Sequence, residues 1–283
     1  MNIVFIADFF VDEVLGGGEL NNEELMSILH SRGHTVEKAK SIHVDHNRIK
    51  QNRDSKFIVA NFMGLSPECK RALTAKDYVI YEHDHKYLKS RNPADYDLFV
   101  APEEEIINRD FYKGAKKVLC QTEFHANIVR NNLRDFDNIE SLGGNIWTLD
   151  SLAIMEQISK QDKQDRCAVM DSPIPHKNTS GAIKFCKIKG YDYKLVLAGP
   201  YYDFLRAVGE NDKFVFFPKT PETLSRVVVE SRMMGLKVIT NNLIGATAEP
   251  WFKAKGPELI EIMRGKRDKI SERIIEIFNE PKG

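Results

Sequence analysis

The chain has 283 residues, 42% of them hydrophobic, with 41 basic side chains balanced by 41 acidic ones for a formal net charge of zero. That length suits two domains of ordinary size with real cores. The neutral balance excludes a protein whose main business is to coat nucleic acid, and no apolar run approaches the roughly 18 residues that a membrane span requires.

Short β-rich apolar runs alternate with amphipathic stretches along the chain, which predicts stacked α/β units with parallel sheets. In the first half, strands are expected at 3–7, 35–38, 57–61, 78–82, 98–101 and 118–121, with helices near 19–31, 67–73, 103–109 and 123–133. The polar stretch 159–166 reads as a surface linker or the end of a linking helix, so a domain boundary and a hinge candidate are placed there. Beyond it, strands are expected at 167–170, 194–198, 214–217 and 237–240, with helices at 179–187, 224–234 and 271–279. Met1 leads directly into the strand-like Asn2–Ala7 with no signal-peptide pattern, so a cytoplasmic protein is expected, with peripheral attachment to a membrane as a second option. Cys69, Cys120, Cys167 and Cys186 are far apart and include no Cys-x-x-Cys, which predicts reduced packing thiols.

Four motifs carry candidate chemistry. Gly16-Gly17-Gly18-Glu19 follows the first strand and opens a helix, a common way to bring backbone N–H groups against phosphate; a flexible connection is the competing reading. Tyr81-Glu82-His83-Asp84-His85-Lys86 ends the strand at 78–82, the sheet edge where ligands of open α/β sheets gather. It reads as a substrate pocket, as a surface histidine pair, or as part of a metal set with His43 and His46. Lys177 follows the strand at 167–170. Finally, Glu222 and Glu230 stand with seven residues between them around a helix start, with Thr223 or Ser225 as its cap and Gly235 as its stop. A carboxylate directly after Val227-Val228-Val229 is costly to bury without a partner.

With Gly245 and Glu249 following, this last segment resembles the GT-B glycosyltransferases, in particular the retaining family 4 type, which carries two glutamates at this spacing before a Gly-terminated helix and a buried strand. The Gly-Gly loop, the helix ending in Arg32-Gly33-His34, the His-Asp after a strand and Lys177-Asn178 fit the same pattern. The resemblance implies an α/β GT-B fold of two Rossmann-like domains with a cleft between them. Residues 1–158 would form the acceptor-side domain, and 159–283 a reduced domain that binds the nucleotide-sugar. It implies a metal-independent, retaining, hexosyltransferase-like enzyme that needs no cofactor beyond its nucleotide-diphosphate sugar. His83 and Glu222 would be the catalytic contacts to the sugar, and Glu230 would grip the ribose. Gly17, Gly18, Lys177, Ser225 and Arg226 would serve the rest of the donor, with His85, Asp84 and Glu249 as further candidates. The acceptor would be a glycan, a lipid-linked sugar or, less readily, protein or DNA, the last in view of the locally basic segment 30–56. Two departures stand out: Thr223-Leu224-Ser225 replaces the family's Gly-Phe-Gly, and Asp171-Ser172 replaces its Gly-Arg. These departures motivate a non-catalytic nucleotide-sugar-binding module as an alternative, and a sugar-nucleotide epimerase is a third.

Overall fold

The computed structural model describes residues 1–281. The chain divides into two compact units, one formed by Met1–Ile146 together with the segment from Arg267 onward, the other by Trp147–Lys266.

The first unit holds six strands, β1 (Asn2–Ala7), β2 (Thr35–Lys40), β3 (Lys56–Val59), β4 (Tyr78–Glu82), β5 (Val118–Cys120) and β6 (Ile139–Ser141), all parallel in the order β2-β1-β3-β4-β5-β6. Its helices are α1 (Gly17–Ser31), α2 (His46–Gln51), α3 (Pro67–Thr74), α4 (Arg109–Lys113) and α5 (Glu123–Asn132). A parallel sheet covered on both faces demands unbroken apolar runs, which is how β1 reads. Ile3, Phe5 and Ala7 pack with Leu25 and Leu29 of α1, whereas Val4 and Ile6 enter the core on the opposite face with Val59, Phe62 and Leu73.

The second unit contains α6 (Leu149–Ser159), β7 (Gln164–Asp171), α7 (Thr179–Lys189), β8 (Tyr193–Leu197), α8 (Tyr201–Gly209), β9 (Asn211–Phe216), α9 (Arg226–Met233) and β10 (Lys237–Thr240). Its parallel strands run in the order β10-β9-β7-β8. Here too the central strands are buried on both sides. Cys167, Val169 and Val215 pack with Ala182 and Cys186 of α7, while Ala168, Phe214 and Phe216 face a core shared with Leu152, Leu205 and Val228. The last helix, α10 (Gly256–Asn279), places Leu259, Ile260 and Met263 in the core of the second unit, and Ile270, Ile274 and Phe278, spaced by one turn, in that of the first.

Several expectations are corrected. The unit boundary falls at 146/147 and again at 266/267, not at 158/159, because Trp147, Leu152, Met155 and Ile158 are buried in the core of the second unit. Residues 159–166 comprise the last residue of α6, a short connection and the first residues of β7, all within the second unit, so the chain does not pass between units there. Residues 98–101 form no strand: Leu98 and Phe99 take φ angles of 52° and 62°, which cannot pleat, and Leu98 is 88% exposed. The expected helix at 103–109 reduces to a single turn at Glu103–Glu105, since Asn108 at φ 58° turns the chain before α4 begins. The elements α2, α6, α8 and β6 were not anticipated, and the last helix starts at Gly256 instead of 271. All four cysteines are free and buried, and burial pushes the Cys167 thiol up to about 12. Among the described residues no helix is long and apolar enough to cross a membrane.

Candidate functional site

Where the strand order of a parallel sheet reverses, the connections leave toward opposite faces, and a crevice opens at the carboxyl ends of the two strands concerned. In the second unit those strands are β7 and β9, and the loops after them carry Lys177 and Glu222. Lys177 Nζ donates to Glu222 Oε1 at 2.7 Å and lies 5.8 Å from the centre of the Phe216 ring. The Glu222 backbone is fixed independently: its N–H donates to Leu243 O at 2.8 Å, and its carbonyl accepts from Gly245 N–H at 2.9 Å. The pair is thus built by loops from three strands. Its side chains are 25% and 15% exposed, so the pair is neither sealed in the core nor turned out to bulk water.

Three residues on, Ser225 adopts φ 70°, ψ 85° at the amino end of α9, and its own side chain makes no capping hydrogen bond. The expectation that Ser225 caps this helix is therefore not met. Position 225 requires a left-handed backbone, a conformation that costs an L-residue energy and that glycine takes freely. The N-cap residues of α1 and α7 likewise make no such bond, nor do those of α4 and α8, whereas Asp45, Ser66, Thr122 and Thr148 cap α2, α3, α5 and α6.

Glu230 lies one turn into α9 and is 3% exposed. Its Oε1 accepts from Trp147 Nε1–H at 2.9 Å and from the Tyr201 hydroxyl at 2.8 Å, and Arg226 Nε stands 3.4 Å from the same oxygen. The Arg226 guanidinium is stacked 4.5 Å from the Trp147 ring centre. Burial and the neighbouring Glu230 carboxylate raise the Tyr201 hydroxyl above its ordinary range, so it stays a proton donor. Glu249 is buried between two short turns in the segment after β10, which Arg232 pins by donating to the carbonyls of Phe252, Lys253 and Ala254 at 3.0, 2.8 and 2.8 Å.

In the first unit the strand order reverses between β1 and β3. Asp8, just past β1, accepts from the N–H groups of Met63 and Gly64 at 3.1 and 3.0 Å and from the Ser41 hydroxyl, which ties together the ends of β1, β2 and β3. Gly18, in the first turn of α1, abuts the His83 ring. Burial raises the carboxyl of the neighbouring Glu19, and the Asp8 charge adds to that. His83 has both ring nitrogens engaged: the Gln121 side-chain amide donates to Nδ1 at 2.9 Å, which leaves Nε2–H to donate to Asn22 Oδ1 at 2.7 Å.

Asp84 and His85 lie in a different environment from His83. Lys86 is fully buried and donates to Glu82 and, at 2.9 Å, to Asp84; the Tyr112 hydroxyl also donates to Glu82. Burial alone would raise the Asp84 carboxyl, but Lys86 and Arg91 outweigh it and hold the group well below the usual carboxylate range. His85 is 3% exposed, packs edge-on to His125 at 5.1 Å, and is pushed well below its ordinary pKa by burial and by that neighbour. Asp84 is therefore engaged by Lys86 and Arg91, and His85 is buried with its Nδ1 on the Tyr87 hydroxyl at 3.1 Å. Among the described residues no three His, Cys, Asp or Glu side chains gather as a metal ion would need, so His43, His46, His83 and His85 form no such set. In the locally basic segment, Lys38, Lys40, Arg48 and Lys56 pair with Glu23, Glu13, Glu37 and Asp77, which neutralises much of its charge. Trp147, Tyr201, Asn22 and Gln121 are the partners that no sequence signal singled out; they stand 83, 29, 61 and 38 positions from the side chains they hold.

No family model and no curated protein matches the chain. Its fold does match solved structures. A crystal structure of Anabaena Alr3699/HepE in complex with UDP and glucose superposes with a TM-score of 0.56 at 10% identity, over 98% of this chain and 92% of the other. The same protein in complex with UDP gives 0.55 at 11% identity, over 99% and 98%. An alpha-glucosyltransferase in complex with UDP and a 13-mer DNA containing a HMU base gives 0.54 at 9% identity, over 99% and 100%. At such identities the likeness is one of fold, and it establishes that the chain's two parallel α/β units are the Rossmann-like pair of the GT-B architecture.

Proposed function

We propose that the protein transfers a sugar, as a hexosyltransferase of the retaining family 4 type, from a nucleotide-diphosphate donor held by the second unit to an acceptor on the side of the first. The observation that carries this reading is the Lys177–Glu222 pair at the strand-order reversal of the second sheet, with Glu230 held a few residues further along the same segment. The fold neighbours were solved with UDP, and in one case with UDP and glucose, which agrees with a nucleotide-sugar as ligand.

On this reading Glu222 accepts from hydroxyls of the donor sugar, and Lys177 moves between the carboxylate and the leaving diphosphate. The amino ends of α7 and α9, with Arg226, add N–H donors where negative charge develops. The oxygen Oε2 of Glu230 takes the ribose diol. In the first unit, His83, held by Asn22 and Gln121 beside Gly18, and the loop at Gly17 are that unit's own candidates for contact with the sugar. The bond from the anomeric carbon to the diphosphate oxygen breaks, the acceptor oxygen bonds to that carbon on the same face, and the acceptor proton passes to the departing phosphate. Metal independence follows from these cationic and N–H groups serving the diphosphate. It does not follow from a lack of Asp-x-Asp triplets: the chain has two, at 95–97 and 135–137, with Asp95 accepting from Asn92 and Asp135 paired with Arg109. The acceptor stays open among glycan, lipid-linked sugar, protein and DNA; the paired cations of segment 30–56 argue against that segment as a DNA-binding face.

The test is a thermal-shift panel of UDP-, GDP-, ADP- and CMP-sugars with and without EDTA, since a ligand that binds the native state raises its melting temperature. One donor should stabilise the protein, EDTA should not abolish the effect, and free nucleoside diphosphate should accumulate when an acceptor is added. Binding with neither transfer nor donor hydrolysis would leave a binding module in its place, and a donor isomerised without acceptor would leave an epimerase. If no donor binds at all, the proposal fails.

A further inference from the structure

Glu230 is approached by two neutral donors from separate elements of the second unit, the indole N–H of Trp147 ahead of α6 and the hydroxyl of Tyr201 at the start of α8, and both act on Oε1. The ion pair with Arg226 falls on Oε1 as well. A glutamate side chain turns about three bonds, so an unheld carboxylate loses rotamer freedom each time it binds a ligand. Here that loss is already met in the folded protein, because three groups converge on one oxygen and thereby orient the other.

We propose that Trp147 and Tyr201 are positioning residues that make the site selective for ribonucleotides: they lock Glu230 so that Oε2 presents a fixed acceptor to the vicinal hydroxyls of a ribose. This rests on the reading that Glu230 takes the ribose of the donor. A pinned acceptor rewards a ligand that brings the 2′-hydroxyl and leaves a buried acceptor unmet by one that lacks it. A merely structural role for the two residues would weaken both kinds of ligand alike. The ratio of ribo- to 2′-deoxyribonucleotide affinity is therefore the informative quantity.

The experiment measures Kd by calorimetry for UDP, GDP and ADP and their 2′-deoxy counterparts, on the full chain and on the variants Trp147→Phe and Tyr201→Phe, each checked for a cooperative thermal melt. Wild type should prefer one ribonucleotide to its deoxy form by about 10-fold or more, the scale of one hydrogen bond to a charged group. Each variant should lower ribonucleotide affinity several-fold, leave the deoxy affinity unchanged, and so shrink the ratio; Tyr201→Phe, which removes only an oxygen, suffices if Trp147→Phe does not fold. A wild type that discriminates while the variants keep its ratio would overturn the positioning role and leave the donor site standing. A wild type that binds ribo and deoxy forms equally would overturn the ribose contact of Glu230 and the positioning role with it, still leaving a nucleotide site, whereas one that binds no nucleoside diphosphate would overturn the donor site as well.

Discussion

Replacing Glu230 by alanine removes at once the acceptor of the Trp147 indole at 2.9 Å, that of the Tyr201 hydroxyl at 2.8 Å, and the ionic partner of Arg226. Trp147 is fully buried, so its N–H cannot turn to water instead. Truncating one member of a buried charged network costs about 3–5 kcal/mol, a large part of the ~5–15 kcal/mol that a folded protein has in total. Glu230→Gln keeps an amide oxygen at the same reach but loses the charge and exchanges the other oxygen for an NH2 donor, so its cost should be about 1–2 kcal/mol. Urea denaturation followed by tryptophan fluorescence, comparing both variants with wild type, measures the two values. The comparison also separates stability from binding, because Glu230→Ala lowers the melting temperature before any ligand is added, and only the variant still folded at the assay temperature reports on nucleotide affinity. An alanine variant within about 0.5 kcal/mol of wild type, the range of ordinary surface substitutions, would refute the view that this carboxylate satisfies buried donors.

Lys177→Met should change stability by less than about 1 kcal/mol, because the pair with Glu222 is partly exposed, yet lower UDP affinity about 10-fold and leave uridine affinity unchanged; calorimetry with both ligands decides, and unaltered UDP binding would remove Lys177 from the site. Ser225→Gly relieves a left-handed serine worth about 1–2 kcal/mol while adding about 0.5–1 kcal/mol of unfolded-chain freedom, so a net gain of roughly 0.5–1 kcal/mol is expected in urea titrations, and a loss would contradict it. Burial holds His125 down to about 4, against an ordinary value near 6.5. The folded state thus binds fewer protons than the unfolded one below pH 6.5: stability is unaffected above that pH and falls as pH drops toward 4, by about 3 kcal/mol from His125 alone. Urea midpoints between pH 7.5 and 4.5 should show this decline, and a flat profile would show that the imidazole charges freely in the native state.

Local pattern determined much of this protein. The runs Tyr78–Glu82 and Lys237–Thr240 were legible to the residue, and most of the helices that were expected start within two residues of the expected position, because strand and helix periodicity are written in neighbouring side chains. Glu222, Glu230, Lys177 and His83 could each be singled out from their own short segments. Tertiary structure decided how they are used. Lys177 meets Glu222 only because β7 and β9 flank the reversal of strand order, and Glu230 is anchored only because α6 and α8 bring Trp147 and Tyr201 beside α9. Adjacent motifs were likewise divided: His83 faces Gly18 and Asn22, while Asp84, one residue on, pairs with Lys86, and His85, two residues on, is buried against Tyr87 and His125. The unit boundary at 146/147 followed the same rule, since α6 joins the second unit through buried side chains whose partners lie far along the chain. Periodicity reports which face of an element avoids water, but the partner that covers that face is chosen by the packing of the whole sheet, and no local stretch of sequence carries that choice.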